Sequence, residues 1–181
     1  MDVAMSISHG LARNVISASF NGIKVEAKTP LVEEGSLVLF TFSDPEGKEA
    51  FWHSTSHIMA QVIEELFPGV NLTIGPAIDN GFYYDIDFKE HSISETDIPR
   101  IEARMLEIAR GKHEFTMRSV SKAAAIQLYK DQNNPFKVEL IENLTDGEIT
   151  FCDHDTFTDL CRGGHVPNTG IRKSVKVMSI V

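Results

Sequence analysis

Two pairs of chemically active side chains share one spacing in this chain. His53 and His57 lie in FWHSTSHIM, and Cys161 and His165 lie in DLCRGGHVP. Residues i and i+4 share one face of a helix, so the two histidines can direct their imidazoles at one point. If the second pair joins them, the resulting tetrad is either a tetrahedral metal site or a metal-free acid/base cleft.

The helical phase of the first pair argues against an ordinary core role. His53, His57 and Gln61 centre nearly opposite the apolar side of their predicted helix. That apolar side consists of Ile58, Met59, Val62, Ile63 and Leu66. A lone histidine would be interpreted as solvated or hydrogen-bonded. Two of them at this spacing favour a shared functional site.

Cys161 taken alone would be a small buried hydrophobe, the usual fate of a free cysteine. It is followed by Arg162, Gly163 and Gly164, so it borders a tight polar loop. Glycines allow backbone N–H groups to approach a substrate, where they could stabilise an oxyanion. Cys152 is predicted to be structural, and both thiols are expected to be reduced because nothing indicates secretion.

The first fifty residues contain simple structural signals. Residues 1–14 are predicted to be helical, Asn21-Gly22 predicts a tight hairpin in ISASFNGIKVEA, and SLVLFTF predicts a buried strand. Residues 43–48, with Asp-Pro and Glu-Gly pairs, are predicted to be a linker.

Further along, helices and strands are interspersed without a βαβ rhythm. Helices are predicted from Ala50 to Leu66 and from Ser121 to Tyr129. Between them another helix is predicted, with Asp97 as its cap and Pro99 in its first turn. The segments LTIGPAI and FYYDIDF predict a second hairpin around Asp79-Asn80-Gly81. Four more segments are predicted to be strands: FTMRSV, FKVELI, EITFCD and SVKVMSIV. The fold class predicted is α+β with an antiparallel sheet covered by helices.

Composition bounds the function. The chain has 181 residues, of which 42% are hydrophobic, enough for one good core and a small second one. No apolar run reaches the length of a membrane span and no signal pattern opens the chain, so a cytoplasmic location and no membrane partner are expected. The net charge of −9 argues against strong nucleic-acid binding by bulk electrostatics.

Three stretches carry a family resemblance. HSTSH, IGPAIDNGFYYDID and DLCRGGHVPNTG resemble the amino-terminal editing domain of the threonyl-tRNA synthetase family, and the preceding stretch resembles its small TGS domain. The resemblance implies a partial TGS-like (ubiquitin-like) domain over 1–45 and an editing domain over 46–181. Gly164 departs from the pattern, which commonly has Pro there, and this could loosen the loop that holds His165.

The resemblance implies a proofreading hydrolase. Its substrate would be the threonine tRNA acceptor end carrying serine, which a synthetic site rejects poorly because one methyl is worth only about 1–3 kcal/mol. His53 or His57 would orient or deprotonate a water, while His165 and Cys161 complete the polar wall without a covalent intermediate. The rest of the synthetase, which carries the aminoacylation core that this chain lacks, would be the partner. The full-length protein is expected to be a homodimer.

Three further site residues come from the resemblance alone. Tyr84, Lys137 and Asp159 match polar positions of the editing pocket. Without the resemblance, Tyr84 would be interpreted as a half-exposed aromatic residue, Lys137 as a solvated charge and Asp159 as an acidic residue in a turn or helix cap. With it, Lys137 is expected to position or polarise the substrate carboxyl group or a water, and Asp159 to hold the substrate ammonium or hydroxyl.

The residues leave the metal question open. The same four side chains could ligate zinc and lower the pKa of a bound water. The threonyl resemblance favours a metal-free site with no required cofactor, whereas related alanyl editing domains favour zinc. The alternatives are a non-catalytic module that binds a tRNA end, a domain stapled by structural zinc, and a zinc-dependent free-standing aminoacyl-tRNA deacylase.

Overall fold

The computed structural model describes residues 1–171 and 174–181. The helices of this part are α1 Asp2–Ile7, α2 His9–Asn14, α3 Pro45–Leu66, α4 Ile98–Gly111, α5 Lys122–Asp131 and α6 Pro135–Glu142. The strands are β1 Ser17–Phe20, β2 Ile23–Val25, β3 Leu37–Phe40, β4 Asn71–Leu72, β5 Ala77–Ile78, β6 Gly81–Phe82, β7 Ile86–Asp87, β8 Thr116–Ser119, β9 Thr150–His154 and β10 Phe157–Leu160. Single 3-10 turns span Glu95–Asp97 and Thr169–Ile171.

The amino-terminal sheet has the order β2-β1-β3 with antiparallel pairs. Its predicted hairpin is confirmed, because Asn21 and Gly22 both have positive φ, at 50° and 79°, as a two-residue primed turn requires. The single helix predicted over 1–14 is wrong in detail. Ser8 is extended and its hydroxyl accepts a hydrogen bond from the Leu11 N–H, which caps a second helix.

The linker predicted over 43–48 is also wrong, because helix α3 already begins at Pro45. Proline fits a first helical turn, where its missing N–H is not needed. The Asp44 carboxylate accepts a hydrogen bond from the Thr41 N–H at 2.7 Å, and a Cβ on Gly47 would collide with the Thr41 carbonyl. The chain therefore enters α3 through a tight turn.

Helix α3 is covered on two sides. Its apolar residues join the main core, together with Ile101, Met105 and Ile108 of α4, so α4 packs on α3 more than on any sheet. The opposite side, which carries His57 and Gln61, is equally buried. The helix therefore directs its two histidines into the protein.

The second hairpin is confirmed around the two-residue turn at Asp79 and Asn80, where β5 pairs with β6. Further out, β4 pairs with β7 and completes this long ribbon. The predicted helix starting after Ser121 is confirmed, with the Ser121 hydroxyl accepting from the Ala124 N–H. The sheets of the described residues are small and antiparallel, rather than one larger sheet.

Two strand predictions are wrong. The segment FKVELI forms helix α6, because Pro135 starts it and the Asn134 side chain caps it by accepting from the Lys137 N–H at 3.1 Å. The described segment 174–181 contains no strand. Val177 instead donates its N–H to the Glu102 carboxylate at 2.8 Å, so this tail runs along α4. The predicted strands FTMRSV and EITFCD are confirmed as β8 and β9, which pair with each other.

The described helices include none with both the length and the apolar composition needed to cross a membrane.

Candidate active site

The two ligand pairs meet in the structure. The Nε2 atoms of His57 and His53 lie 3.1 Å apart, and the Cys161 Sγ lies 3.4 Å from the His53 Nε2 and 3.3 Å from the His165 Nε2. All four ligand atoms lie within 4.8 Å of one another. These four side chains are called the tetrad below.

Helix α3 and the segment after β10 hold the tetrad. His53 and His57 project from successive turns of α3. The hydroxyl of Ser54, on the same helix, accepts a hydrogen bond from the Val166 N–H at 3.0 Å, which ties the helix to the residue after His165. The Phe115 ring lies parallel to the His165 ring, with an interplanar angle of 7°. Packing against Phe115 therefore contributes to the orientation of the His165 ring.

The tetrad is enclosed except at His53, which is half-buried, while His57, Cys161 and His165 are buried. Burial lowers the pKa of His57 below its ordinary 6.5, against an opposing effect of Cys161. His57 is therefore neutral at pH 7 and suited to accept a proton. A substrate or water would approach from the side of His53.

Cys161 and His165 form a charged pair. Burial raises the pKa of the Cys161 thiol, but its contacts with the imidazoles of His57, His165 and His53 outweigh that effect and bring the pKa to about 2. Burial lowers the pKa of His165, yet its hydrogen bonds with Cys152, Cys161 and Glu26 raise it well above the ordinary value. The direction of both shifts favours a thiolate beside an imidazolium.

A second polar cluster adjoins the tetrad, centred on Asp159 of β10. Lys137 Nζ donates to its Oδ1 at 2.6 Å, Tyr129 donates to Oδ1 at 3.2 Å and Tyr84 donates to Oδ2 at 3.0 Å. The side chains of Lys137 and Asp159 are only 4% and 6% exposed. Lys137 is therefore a buried charge at the start of α6, and the solvated alternative is wrong.

His57 connects the two clusters. Its Nδ1 lies 3.9 Å from the Asp159 Oδ2, which is too long for a hydrogen bond but close enough for the charge to act. The same Nδ1 is buried and has no hydrogen-bond partner among the described residues. The structure thus brings all seven sequence-predicted residues together: His53, His57, Cys161, His165, Tyr84, Lys137 and Asp159.

The expected role of the glycine amides is not supported. Gly163 donates its N–H to the Cys161 sulfur at 3.3 Å, and Gly164 donates to the Glu26 Oε1 at 2.8 Å. Both amides are thus used inside the protein and do not face a substrate. At Gly164, where the family pattern has Pro, φ is 87° and follows the 89° of Gly163.

Sequence reasoning missed two residues of the site. Tyr129 was predicted only as the end of a helix, and its hydroxyl also accepts a hydrogen bond from the Leu160 N–H at 2.9 Å. Glu26 lies 139 residues before His165, with no motif around it. Cys152 is buried as predicted, and its sulfur lies 3.7 Å from the His165 Nδ1.

Three other histidines lie outside both clusters. His9 and His91 are exposed, and His113 is partly exposed beside Asp155.

The tetrad fits a zinc ion. Tetrahedral zinc, with nitrogen ligands near 2.0 Å and sulfur near 2.3 Å, spaces its ligand atoms about 3.3–3.7 Å apart. Three of the separations between these ligand atoms, 3.1, 3.3 and 3.4 Å, are close to that spacing. The His165 Nδ1 also faces a carboxylate, Glu26, as ligating histidines commonly do. These four residues could therefore bind a metal such as zinc.

The chain is similar to tRNA ligases over nearly its whole length. It is 66% identical to threonine–tRNA ligase of Flavobacterium johnsoniae and 67% identical to that of Flavobacterium psychrophilum, each over 180 residues. It is 45% identical to the enzyme of Cytophaga hutchinsonii over the same length. Each match covers 99% of this chain and 28% of the relative. No protein-family model matches the chain.

These matches define the class first: the chain is part of a translation-related tRNA ligase. More particularly, it belongs to the threonine–tRNA ligase family and spans a little over a quarter of the length of the relatives it matches.

Proposed function

We propose that this chain is the editing part of a threonine–tRNA ligase and hydrolyses the ester of serine wrongly attached to threonine tRNA. One observation carries the proposal. His57, a neutral and buried member of the His/Cys tetrad, also faces the carboxylate of a buried Lys–Asp pair. This places a proton acceptor, positive charges and a carboxylate around one point, as ester hydrolysis requires.

The proposed reaction needs a water and a proton acceptor. The water enters beside half-buried His53, which orients it, and His57 accepts its proton because its imidazole is neutral. Asp159 faces the other ring nitrogen of His57 and stabilises the positive charge that forms there. The Cys161 thiolate stays paired with His165 and forms no acyl intermediate.

The oxyanion of the ester is stabilised by side-chain charges. The Gly163 and Gly164 amides are already bonded, and both ring nitrogens of His165 face Glu26 and Cys161, so the Lys137 ammonium supplies the positive charge. In the apo protein Lys137 is held by Asp159 at 2.6 Å. The Asp159 carboxylate also binds the substrate ammonium or hydroxyl on the side of Tyr84.

Specificity comes from size. Serine lacks one methyl of threonine, so the synthetic site loses only about 1–3 kcal/mol of discrimination against it. A second pocket that admits serine excludes the extra methyl. The side chains proposed to bound it are Tyr84, whose hydroxyl donates to Asp159, and His57, whose Nδ1 lies 3.9 Å from the same carboxylate.

The proposed partners and location follow from family membership. The chain receives the acceptor end of threonine tRNA, and the rest of the ligase, a homodimer in the cytoplasm, supplies most of the tRNA contact. The net charge of −9 is consistent with weak binding of tRNA by the chain alone.

The tetrad also supports a second candidate function, a structural zinc site. His53, His57, Cys161 and His165 would hold the ion, at the near-tetrahedral separations already described. Bound zinc would supply a lowered pKa for a coordinated water, although four protein ligands close a structural shell. In a purely structural zinc domain, chelation would melt the fold and no ester would be hydrolysed.

The proposal is tested by single-turnover deacylation of seryl-tRNA bearing the threonine anticodon. We expect the chain to hydrolyse it, and His57→Ala to lower the rate constant by about 10²–10⁴-fold, the usual contribution of a general base. His91→Ala, an exposed histidine outside both clusters, is the matched control and should leave the rate unchanged. Binding of the tRNA end without hydrolysis would support the non-catalytic module instead.

A further inference from the structure

Glu26 reaches the tetrad from the amino-terminal sheet. It directly follows β2, and its Oε1 accepts a hydrogen bond from the Gly164 N–H at 2.8 Å. The same oxygen lies 3.2 Å from the His165 Nδ1, and Oε2 accepts from the His165 N–H at 3.4 Å. We infer that Glu26 is a positioning residue of the candidate active site that acts through His165.

Glu26 is itself held in place. Its N–H donates to the Thr29 hydroxyl at 3.1 Å, and the Thr29 N–H donates back to the Glu26 carbonyl at 3.0 Å. Lys24, two residues earlier, pairs with Glu49 of α3 at 2.7 Å. The Glu26 side chain is 18% exposed, so it reaches inwards as a charged group with several donors around it.

The contact fixes which way the His165 ring faces. An ionised carboxylate only accepts hydrogen bonds, so the His165 Nδ1–H donates to it. With Nδ1 held by Glu26, Nε2 is the ring nitrogen that faces the Cys161 sulfur, at 3.3 Å. The Cys152 sulfur shares Nδ1 at 3.7 Å, but it is a far weaker partner than a carboxylate.

The same carboxylate holds the turn before His165. Gly163 and Gly164 have φ values of 89° and 87°, a conformation that favours glycine, and the Gly164 amide is fixed by Glu26. Glu26 therefore sets both the backbone and the ring of His165. A residue from the amino-terminal part of the chain thus contacts the tetrad through His165.

The activity arm of the test rests on the proposed function. Glu26→Ala should lower kcat for seryl-ester hydrolysis by about 10–100-fold, the typical cost of losing such a partner, with KM changed less than about twofold. Glu26→Gln keeps an oxygen that can accept from both the Gly164 and the His165 N–H groups, so it should restore most of kcat. Glu49→Ala, which removes a neighbouring contact between the same two parts, should match the unaltered chain.

A second readout is independent of activity. Nitrogen NMR of the His165 ring should show the signature of a hydrogen-bonded Nδ1–H in the unaltered chain and in Glu26→Gln, and the loss of that signature in Glu26→Ala. If the unaltered chain hydrolyses no ester, the proposed function fails, while the ring signals still decide the role of Glu26. Unchanged ring signals in Glu26→Ala overturn the inference. A loss of kcat that Glu26→Gln does not restore overturns it as well.

Discussion

The Lys137 ammonium and the Asp159 carboxylate form an ion pair of 2.6 Å with both side chains buried. Lys137 lies in the first turn of α6 and Asp159 lies on β10, so the pair joins a helix to the sheet that carries Cys161. Two tyrosine hydroxyls and the Leu160 N–H also donate to the carboxylate. This arrangement has a direct consequence for stability.

We expect Lys137→Met to lower the free energy of unfolding by about 3–5 kcal/mol, because it leaves the Asp159 charge buried without its counter-ion. Lys28→Met, which breaks an exposed pair with Glu114, is the control and should cost less than about 1 kcal/mol. Urea denaturation measures both. Adding Asp159→Asn to Lys137→Met should recover part of the loss, and equal losses in the two single variants would contradict a buried pair.

The pH profile of the proposed hydrolysis depends on His57. Burial lowers its pKa below 6.5, so its neutral, proton-accepting form persists under mildly acidic conditions. The rate should therefore be flat above about pH 6.5 and fall only as the pH drops through the lowered pKa. Rate measurements from acid to neutral pH test this. A rate that rises on acidification would show that a protonated imidazole drives the reaction.

Gly164 is expected to be intolerant of proline. Proline fixes φ near −65° and has no N–H, whereas Gly164 has φ 87° and donates to Glu26. Gly164→Pro should lower the melting temperature, because the turn of this chain is not one that proline can adopt.

Two alanine variants separate backbone strain from the loss of that donor. Gly164→Ala and Gly147→Ala both place a side chain at positive φ and should each cost about 1–2 kcal/mol. Gly147→Ala should remain fully active, because Gly147 lies outside the site. A stable, active Gly164→Pro variant would show that the turn adopts another conformation.

Zinc binding is expected to require the whole tetrad. Titration with zinc, followed by calorimetry, should show one site per chain, and Cys161→Ser should weaken it strongly because serine removes the thiolate ligand. Cys152→Ser, the other buried cysteine, is the control. No heat of binding to the unaltered chain would favour the metal-free acid/base site, and equal affinity in Cys161→Ser would contradict the proposed ligand set.

The local parts of the site could be predicted from sequence. The i, i+4 spacing of His53 and His57 fixes their relative position as soon as the segment is helical. Asn21-Gly22 and Ser121 likewise determine a turn and a cap by their own chemistry. These expectations agree with the structure because each depends on a few consecutive residues.

Helix α6, the carboxyl-terminal tail and the position of Glu26 depend on residues outside the local segment. Residues 136–141 show strand-like alternation, but Pro135 and the capping side chain of Asn134, which lie outside that segment, start a helix there. Val175 and Val177 both pack against the main core, as the strand-like alternation predicts. The Val177 N–H, however, donates to the Glu102 carboxylate of α4 rather than to a neighbouring strand. Glu26 resembles any acid at a strand end, and only the folded chain brings it to His165.

The most direct test compares two esters in one assay: seryl-tRNA and threonyl-tRNA, both with the threonine anticodon, each incubated with the 181-residue chain. The account predicts rapid release of serine, slow release of threonine, and loss of serine release in His57→Ala. Equal hydrolysis of both esters, or none of either, would contradict it.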